Sequence, residues 1–392
     1  MRIFAHQNPK KLKMKLPLLI IALSMAALPL ASVAQTTIDA TLTHDGLERT
    51  YRLYIPAIYN AATPVPLVLN LHGYTSNNLQ QEFYGDFRAI ADTANFIIVH
   101  PNGTEDANGD QFWSSFGVSS IDDVGFLSAL IDKIQTEYSI DNNCIYSTGM
   151  SNGGFMSYEL ACQLSYRIAA IASVTGSMVQ SRFDNCNATH PTPVMQIHGT
   201  ADPTVPYLGL PAQTFMPIET LVDEWVAFNN CDPNPVVTQV PNTSLTDGCT
   251  AELQVFENGD DGTTVEFYKV VGGLHTWPGS LFQVVGTNQD FSASQAIWRF
   301  FRKYKLDMFT GISETTQEKT FTVYPNPSTG IIVLQFDNAS NRTITANNAL
   351  GQEVLSLKCT NATAKMELSE PGIYSISVME NNLRSTKKVV VY

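Results

Sequence analysis

A serine fenced by glycines, an aspartate just past one apolar run and a histidine just past another have the types and the order that nucleophilic catalysis requires. The serine is Ser151 in GMSNG, residues 149–153. This G-x-S-x-G spacing fits a strand-to-helix turn so sharp that only small residues fit beside the hydroxyl, which is lifted above the sheet. An alcohol is a poor nucleophile until a base takes its proton, and that base needs an acid to hold its tautomer and stabilise its charged form. Around such an elbow the partners follow the serine in the order acid, then histidine. Asp202 lies in TADPTVPY after the run PVMQIHG, and His275 lies in GGLHTWPG after TVEFYKVV. The expected set is Ser151 as nucleophile, Asp202 as acid and His275 as base. His72, His100 and His198 also end strand-like runs and could line a site. His72 and His100 precede the serine, however, and His198 is too close to the acid strand to be the best base. Asp260 and Asp261 read as a hairpin tip, and Asp122 and Asp123 as capping or first-turn carboxylates of a helix.

Acyl transfer also needs donors for an oxyanion. The backbone N–H of Asn152, at a helix start, is one; the loop after PLVLNLHG should supply the other, from Tyr74 or alternatively Thr75. Trp113 in FWSSF and Trp277 beside His275 are candidate platforms for a sugar or an aryl group, or else packing aromatics under loops.

Elements must place these side chains. The runs TYRLYIP (50–56), PLVLNLHG (66–73), FIIVHPNG (96–103), CIYSTG (144–149), RIAAIASVTG (167–176) and PVMQIHG (193–199) are short, rich in Val and Ile, and end in Gly, Pro or His. Helical stretches separate them at 78–94, 122–138, 153–164 and 217–229. That alternation predicts an α/β protein whose mainly parallel sheet is covered on both faces, with its chemistry at the carboxyl ends of the strands. The first two runs read as a leading antiparallel meander. After a final helix at 288–304 and a polar stretch, short β runs alternate with NN, GQ, PG and ENN turns. This reads as a small all-β, sandwich-like domain without histidine. The expected organisation is a signal peptide over 1–34, a catalytic domain over 35–305, a linker over 306–318 and a β domain over 319–392.

The signal peptide follows from four lysines before the apolar run 16–30 and a small-residue site at Ser32-Val33-Ala34; that run is short for a stable membrane span. Export makes disulfides plausible. The six cysteines show no C-x-x-C spacing, which argues against zinc, and the expected pairs are Cys231 with Cys249 and Cys162 with Cys186. Charge narrows the partners. Residues 1–34 hold five Lys/Arg and no Asp/Glu, and residues 319–392 hold seven and five; of the net −13, residues 35–318 therefore carry −20. Such a surface repels phosphate backbones and anionic lipid, so no nucleic-acid partner is expected, whereas a neutral ester or polysaccharide is compatible.

The motifs LNLHGYTSN, IDDVGFL, IYSTGMSNGG, IHGTADPTVPY and GGLHTWPG together resemble the secreted α/β-hydrolase esterases of the polyhydroxybutyrate depolymerase-like and feruloyl or acetylxylan esterase group, over about residues 40–304. The resemblance implies an α/β-hydrolase fold, a Ser151–Asp202–His275 triad, an oxyanion hole near Tyr74 and Asn152, and no metal or organic cofactor. It implies a feruloyl or acetyl ester of plant cell-wall polysaccharide as substrate, with polyester as the alternative. A non-catalytic surface binding protein on the same fold is a reading of another class. FWSSF departs from the Trp-rich loop of many relatives. VYPNPSTG, ALGQEV, ELSEPGIYSISV and STKKVVVY resemble the C-terminal sorting domain of the type IX secretion system. This second resemblance implies secretion machinery as a partner and a secreted or cell-surface location.

Overall fold

Strands β1 (Thr36–His44) and β2 (Leu47–Ile55) form an antiparallel hairpin, and β2 lies antiparallel to β4 (Ile97–Pro101). The computed structural model describes residues 35–116, 119–211, 214–309, 321–348, 353–380 and 383–392. They fall into two compact units, one ending at Leu306 and one starting at Asp307. The expected signal peptide and residues 310–318 of the expected linker lie outside the described residues.

In the first unit, β3 (Val65–Leu71) is followed by α1 (Asn78–Tyr84) and α2 (Arg88–Ala94). After β4 come a small ribbon of β5 (Thr104–Glu105) with β6 (Gln111–Phe112), then α3 (Asp123–Glu137), β7 (Ile140–Met150) and α4 (Asn152–Gln163). The chain continues through β8 (Ala170–Val174), α5 (Gln180–Asp184), β9 (Val194–Gly199), α6 (Ile218–Phe228), β10 (Val236–Gln239), β11 (Thr250–Phe256), β12 (Val265–Val271) and α7 (Ala293–Phe301). The sheet order is β1-β2-β4-β3-β7-β8-β9-β12-β11-β10. From β4 to β12 every neighbouring pair is parallel, so β7, β9 and β12 all release the chain at one edge of the sheet. This is the strand order of an α/β-hydrolase with an antiparallel extension beyond β12.

Side chains alternate between the two faces of a strand. One face of β3, β7 and β8 gives Leu67, Leu69, Ile145 and Ile171 to a cluster shared with Phe126 and Leu130 of α3, Met156 and Leu160 of α4 and Trp225 of α6. Tyr146, on the other face of β7, stacks on Phe301 of α7 at 4.8 Å, and Phe96 stacks on Trp298 at 4.0 Å. With both faces covered, the strands carry near-continuous apolar runs.

Several expectations need correction. PLVLNLHG is not part of an antiparallel meander: β3 is parallel to both of its neighbours, β4 and β7, and β2 is not among them. The helix expected over 78–94 is two short helices, because α1 ends on Gly85 where Trp277 crowds in; a Cβ there would lie 3.1 Å from the indole. Of the two disulfides, Cys162–Cys186 is present, whereas Cys231 and Cys249 are free. Those two sit at opposite ends of the β11–β12 ladder. Cys249 precedes Thr250, paired with Val271, while Cys231 Sγ is next to Thr263, beyond the Val265–Phe256 pair. Seven residues of strand separate those ends by roughly 20 Å, far beyond disulfide reach.

The second unit is a β domain. One sheet orders as β13-β14-β17 (Thr322–Tyr324, Ile331–Gln335, Thr363–Glu367). The other orders as β16-β15-β18-β19 (Glu353–Cys359, Arg342–Asn347, Gly372–Glu380, Leu383–Val391). Ile332, Leu334 and Met366 from the first join Ile344, Ile376 and Val389 from the second in one buried cluster. Among the described residues no helix is long and apolar enough to cross a membrane.

Candidate active site

Ser151 separates β7 from α4 and holds φ 53° and ψ −119°, a conformation costly for a residue with a Cβ. The flanking glycines make the turn possible through close approach. A Cβ on Gly149 would stand 2.5 Å from the carbonyl carbon of Gly153, and one on Gly153 would collide with the Leu71 carbonyl at the end of β3. The Ser151 amide donates to Val174 O at 2.8 Å, tying the elbow to β8. The loop after β3 closes over it, with the Ser151 Cβ 3.4 Å from the point a Gly73 Cβ would occupy.

Two amides at this turn are available for an anion. Asn152 is the first residue of α4, so its N–H has no intrahelical acceptor. Among the described residues the Tyr74 amide has no partner, whereas the Thr75 amide donates to Gln111 O at 2.9 Å. That bond removes Thr75 from contention as the second donor.

The Asn152 side chain is fully buried and works in the opposite direction from its amide. Its Oδ1 accepts from the Trp113 amide at 2.6 Å, and its Nδ2 donates to Trp113 O at 3.0 Å and Ser115 Oγ at 2.8 Å. The same segment is gripped from behind. The Ser114 amide donates at 2.7 Å to Asp123, which also holds the buried guanidinium of Arg49 at 2.7 Å. Asp123 is thus half of a buried ion pair, while Asp122 caps α3 by accepting from the Gly125 amide.

Asp202 follows β9. Its Oδ1 accepts from the amides of Thr204 and Val205 at 2.8 and 2.9 Å, and its Oδ2 receives Nδ1 of His275 at 2.7 Å. The carboxylate is fully buried and the imidazole 17% exposed, so one edge of the ring reaches solvent. With Nδ1–H donated to Asp202, Nε2 carries the lone pair a base needs. The Ser151 hydroxyl has no hydrogen-bond partner among the described residues, so the structure does not close a bond between it and His275. Catalytic hydrogen bonds of free enzymes are often long and tighten on substrate.

His72, His100 and His198 are buried and neutral. Burial pushes His72 down to about 4, against the bond it donates to Gly73 O, and its Nε2 accepts from the Gly103 amide at 2.9 Å. Burial likewise pushes His198 to about 4 and His100 to about 3. His44, Asp45 and Asp122 bring three potential metal-ligand atoms within 4.8 Å of one another; Asp122 caps α3 through Oδ1 and faces His44 through Oδ2, and none of the three belongs to the site above.

Both candidate aromatic platforms are corrected by burial. Trp113 is fully buried, donates its indole N–H to His72 O at 3.0 Å and packs on the His72 ring. Trp277 is 1% exposed, donates to Ser294 Oγ and meets Phe87 edge-on. Neither ring has a face for a ligand. The exposed apolar side chains of the His275 loop are instead Leu281, Phe282, Val284 and Val285, between 57% and 87% exposed. The run SLFQVVG was readable as four apolar residues in a loop with no helical or strand period.

Known proteins resemble this chain in two stretches. Residues 55–216 match the phospholipase/carboxylesterase family, and residues 322–392 match the secretion system C-terminal sorting domain. A bifunctional acetylxylan esterase/xylanase of Neocallimastix patriciarum is 28% identical over 294 residues, covering 75% of this chain and 39% of that protein. Feruloyl esterase C of Emericella nidulans is 27% identical over 243 residues, covering 58% of this chain and 82% of that one. The acetyl xylan esterase from Aspergillus awamori superposes with a TM-score of 0.47 at 14% identity, over 68% of this chain and 99% of the other.

Proposed function

With a hydrolase unit of the carboxylesterase type and a C-terminal sorting domain as the premise, we propose that this protein is a secreted serine carboxylic-ester hydrolase acting on feruloyl or acetyl esters of plant cell-wall polysaccharide. Ser151 Oγ attacks the ester carbonyl carbon while His275 Nε2 takes its proton. Asp202 keeps Nδ1 protonated and stabilises the imidazolium. The amides of Asn152 and Tyr74 receive the negative charge that develops on the carbonyl oxygen. His275 then returns the proton to the departing alcohol, leaving an acyl group on Ser151. Water, deprotonated by the same imidazole, releases the acid and restores the serine. The observation that carries this reading is the 2.7 Å bond between His275 and the buried Asp202, groups 73 residues apart in the chain. The signal peptide and the sorting domain would carry the enzyme across the inner and outer membranes in turn, leaving it outside the cell or on its surface.

A second substrate reading, an apolar polyester such as polyhydroxybutyrate, has its own support: the exposed Leu281, Phe282, Val284 and Val285 follow His275 on one loop. An ester panel on the chain lacking residues 1–34 separates the two. Release of ferulate from methyl ferulate or acetate from acetylated xylan, without clearing of polyester films, is the expected result; film clearing alone would reverse the order.

A further inference from the structure

We propose that His198 is a positioning residue for the acid–base pair, holding the turn that carries Asp202 through a hydrogen-bonded chain reaching back to the helix that follows the nucleophile. The inference rests on the reading of Ser151, Asp202 and His275 given above. Its starting point is that two backbone carbonyls, which can only accept, fix every proton in the chain. Gln196 Nε2 lies 2.8 Å from Gly176 O, so this end of the amide is the NH2 group. The same nitrogen is 3.0 Å from His198 Nδ1, which must therefore be the unprotonated, accepting atom. His198 Nε2 then carries the hydrogen and donates it to Val205 O at 2.9 Å. At the far end, Gln196 Oε1 accepts from Tyr158 OH at 2.8 Å. Tyr158 belongs to α4, the helix that begins at Asn152, one residue past Ser151.

Val205 is held from both sides. Its amide donates to Asp202 Oδ1 and its carbonyl accepts from His198, while His198 Nε2 lies 3.5 Å from Asp202 Oδ2, the oxygen that binds His275. The side chains of His198 and Asp202 are both fully buried, so water cannot stand in for either. Without the imidazole, the Val205 carbonyl is orphaned inside the turn, which must shift to satisfy it. Asp202, whose Oδ1 is anchored to that turn, shifts with it, and His275 follows. A polar chain with every proton assigned is a rigid spacer between the elbow and the acid. A displacement of about 1 Å at such a pair costs on the order of 100-fold in rate.

The test uses the full exported chain, with His198→Leu and His198→Gln compared for hydrolysis of p-nitrophenyl acetate. A second readout is the low-field proton resonance of the His275 Nδ1–H, assigned by its loss in His275→Ala. His198→Leu should lower kcat by about 10- to 100-fold with KM within about 2-fold, and shift or broaden the resonance. His198→Gln, whose amide can still donate to Val205 O, should return kcat to within about 5-fold of the parent and restore the resonance. Unchanged kcat and resonance in His198→Leu would overturn the proposal. So would equal losses in both variants with KM and melting temperature moving together, the mark of simple packing. If His198→Leu does not fold, Gln196→Leu breaks the chain one link earlier; it should show the same kcat loss at constant KM, and an unaltered resonance there would overturn the proposal. Ser151→Ala separates the two levels: full activity in that variant sinks the catalytic reading itself, whereas an inactive Ser151→Ala beside an unimpaired His198→Leu sinks only the positioning role.

Discussion

Replacing Asn152 with alanine keeps the backbone amide proposed to face the oxyanion and removes only the side chain beneath it. That side chain accepts from the Trp113 amide and donates to the Trp113 carbonyl and the Ser115 hydroxyl, all in a fully buried setting. Ser115 Oγ retains the Asn152 carbonyl at 3.4 Å, so the two Trp113 backbone groups bear the loss. An orphaned buried polar group costs about 1–3 kcal/mol, which puts the change near 4 kcal/mol for the pair. In a unit of this size each kcal/mol moves the melting point by about 2–4 °C, so Asn152→Ala should melt roughly 10 °C below the parent. Because the 152 amide persists, kcat on p-nitrophenyl acetate should fall only about 10-fold, far less than the effect of losing an oxyanion donor outright. Differential scanning calorimetry and steady-state kinetics on the same sample read both quantities. A melting point within about 2 °C of the parent would refute the claim that this side chain braces the Trp113 segment. A loss of activity as deep as that of a nucleophile variant, at unchanged stability, would refute the division of labour between amide and side chain.

Asp202→Asn keeps the shape of the acid but favours the wrong tautomer of His275; kcat should drop by about 10⁴-fold with KM little altered, and a loss under about 10-fold would remove Asp202 from its role. Stability should depend on pH through three buried histidines. Their folded values, about 4 for His72 and His198 and about 3 for His100, lie below the usual 6.5, so the unfolded chain binds more protons between those limits. Their contribution is therefore intact above pH 6.5 and lost as pH falls, at about 1.4 kcal/mol per pH unit for each and about 4 kcal/mol for the three between pH 6 and 5. Urea midpoints that stay constant over that interval would contradict the burial of these rings in neutral form.

What the sequence made legible was local. The glycines around Ser151 announced an elbow because backbone crowding excludes any side chain there, and the buried strands announced themselves as continuous apolar runs. The hairpin strand β1 did not, since its residues alternate between half-buried and exposed. β10, exposed at all four positions on the sheet edge, carried no burial signal at all. Cys231 and Cys249 flank a loop in sequence, yet a full ladder of paired strand stands between them in space. The two tryptophans looked like platforms because each neighbours a site motif. Their burial depends on partners from distant segments: His72 and Asn152 for Trp113, Phe87 and Ser294 for Trp277. His198 lies too near the acid's strand to be the best base, and that same nearness places its Nε2 2.9 Å from Val205 O and 3.5 Å from Asp202 Oδ2.

The most direct measurement is covalent labelling of the chain lacking residues 1–34 with a fluorophosphonate, followed by peptide mapping and comparison with Ser151→Ala and His275→Ala. The account predicts one adduct, on the Ser151 hydroxyl, absent in the first variant and formed at least about 100-fold more slowly in the second. An adduct that survives Ser151→Ala, or a parent chain that takes up no label, would contradict it.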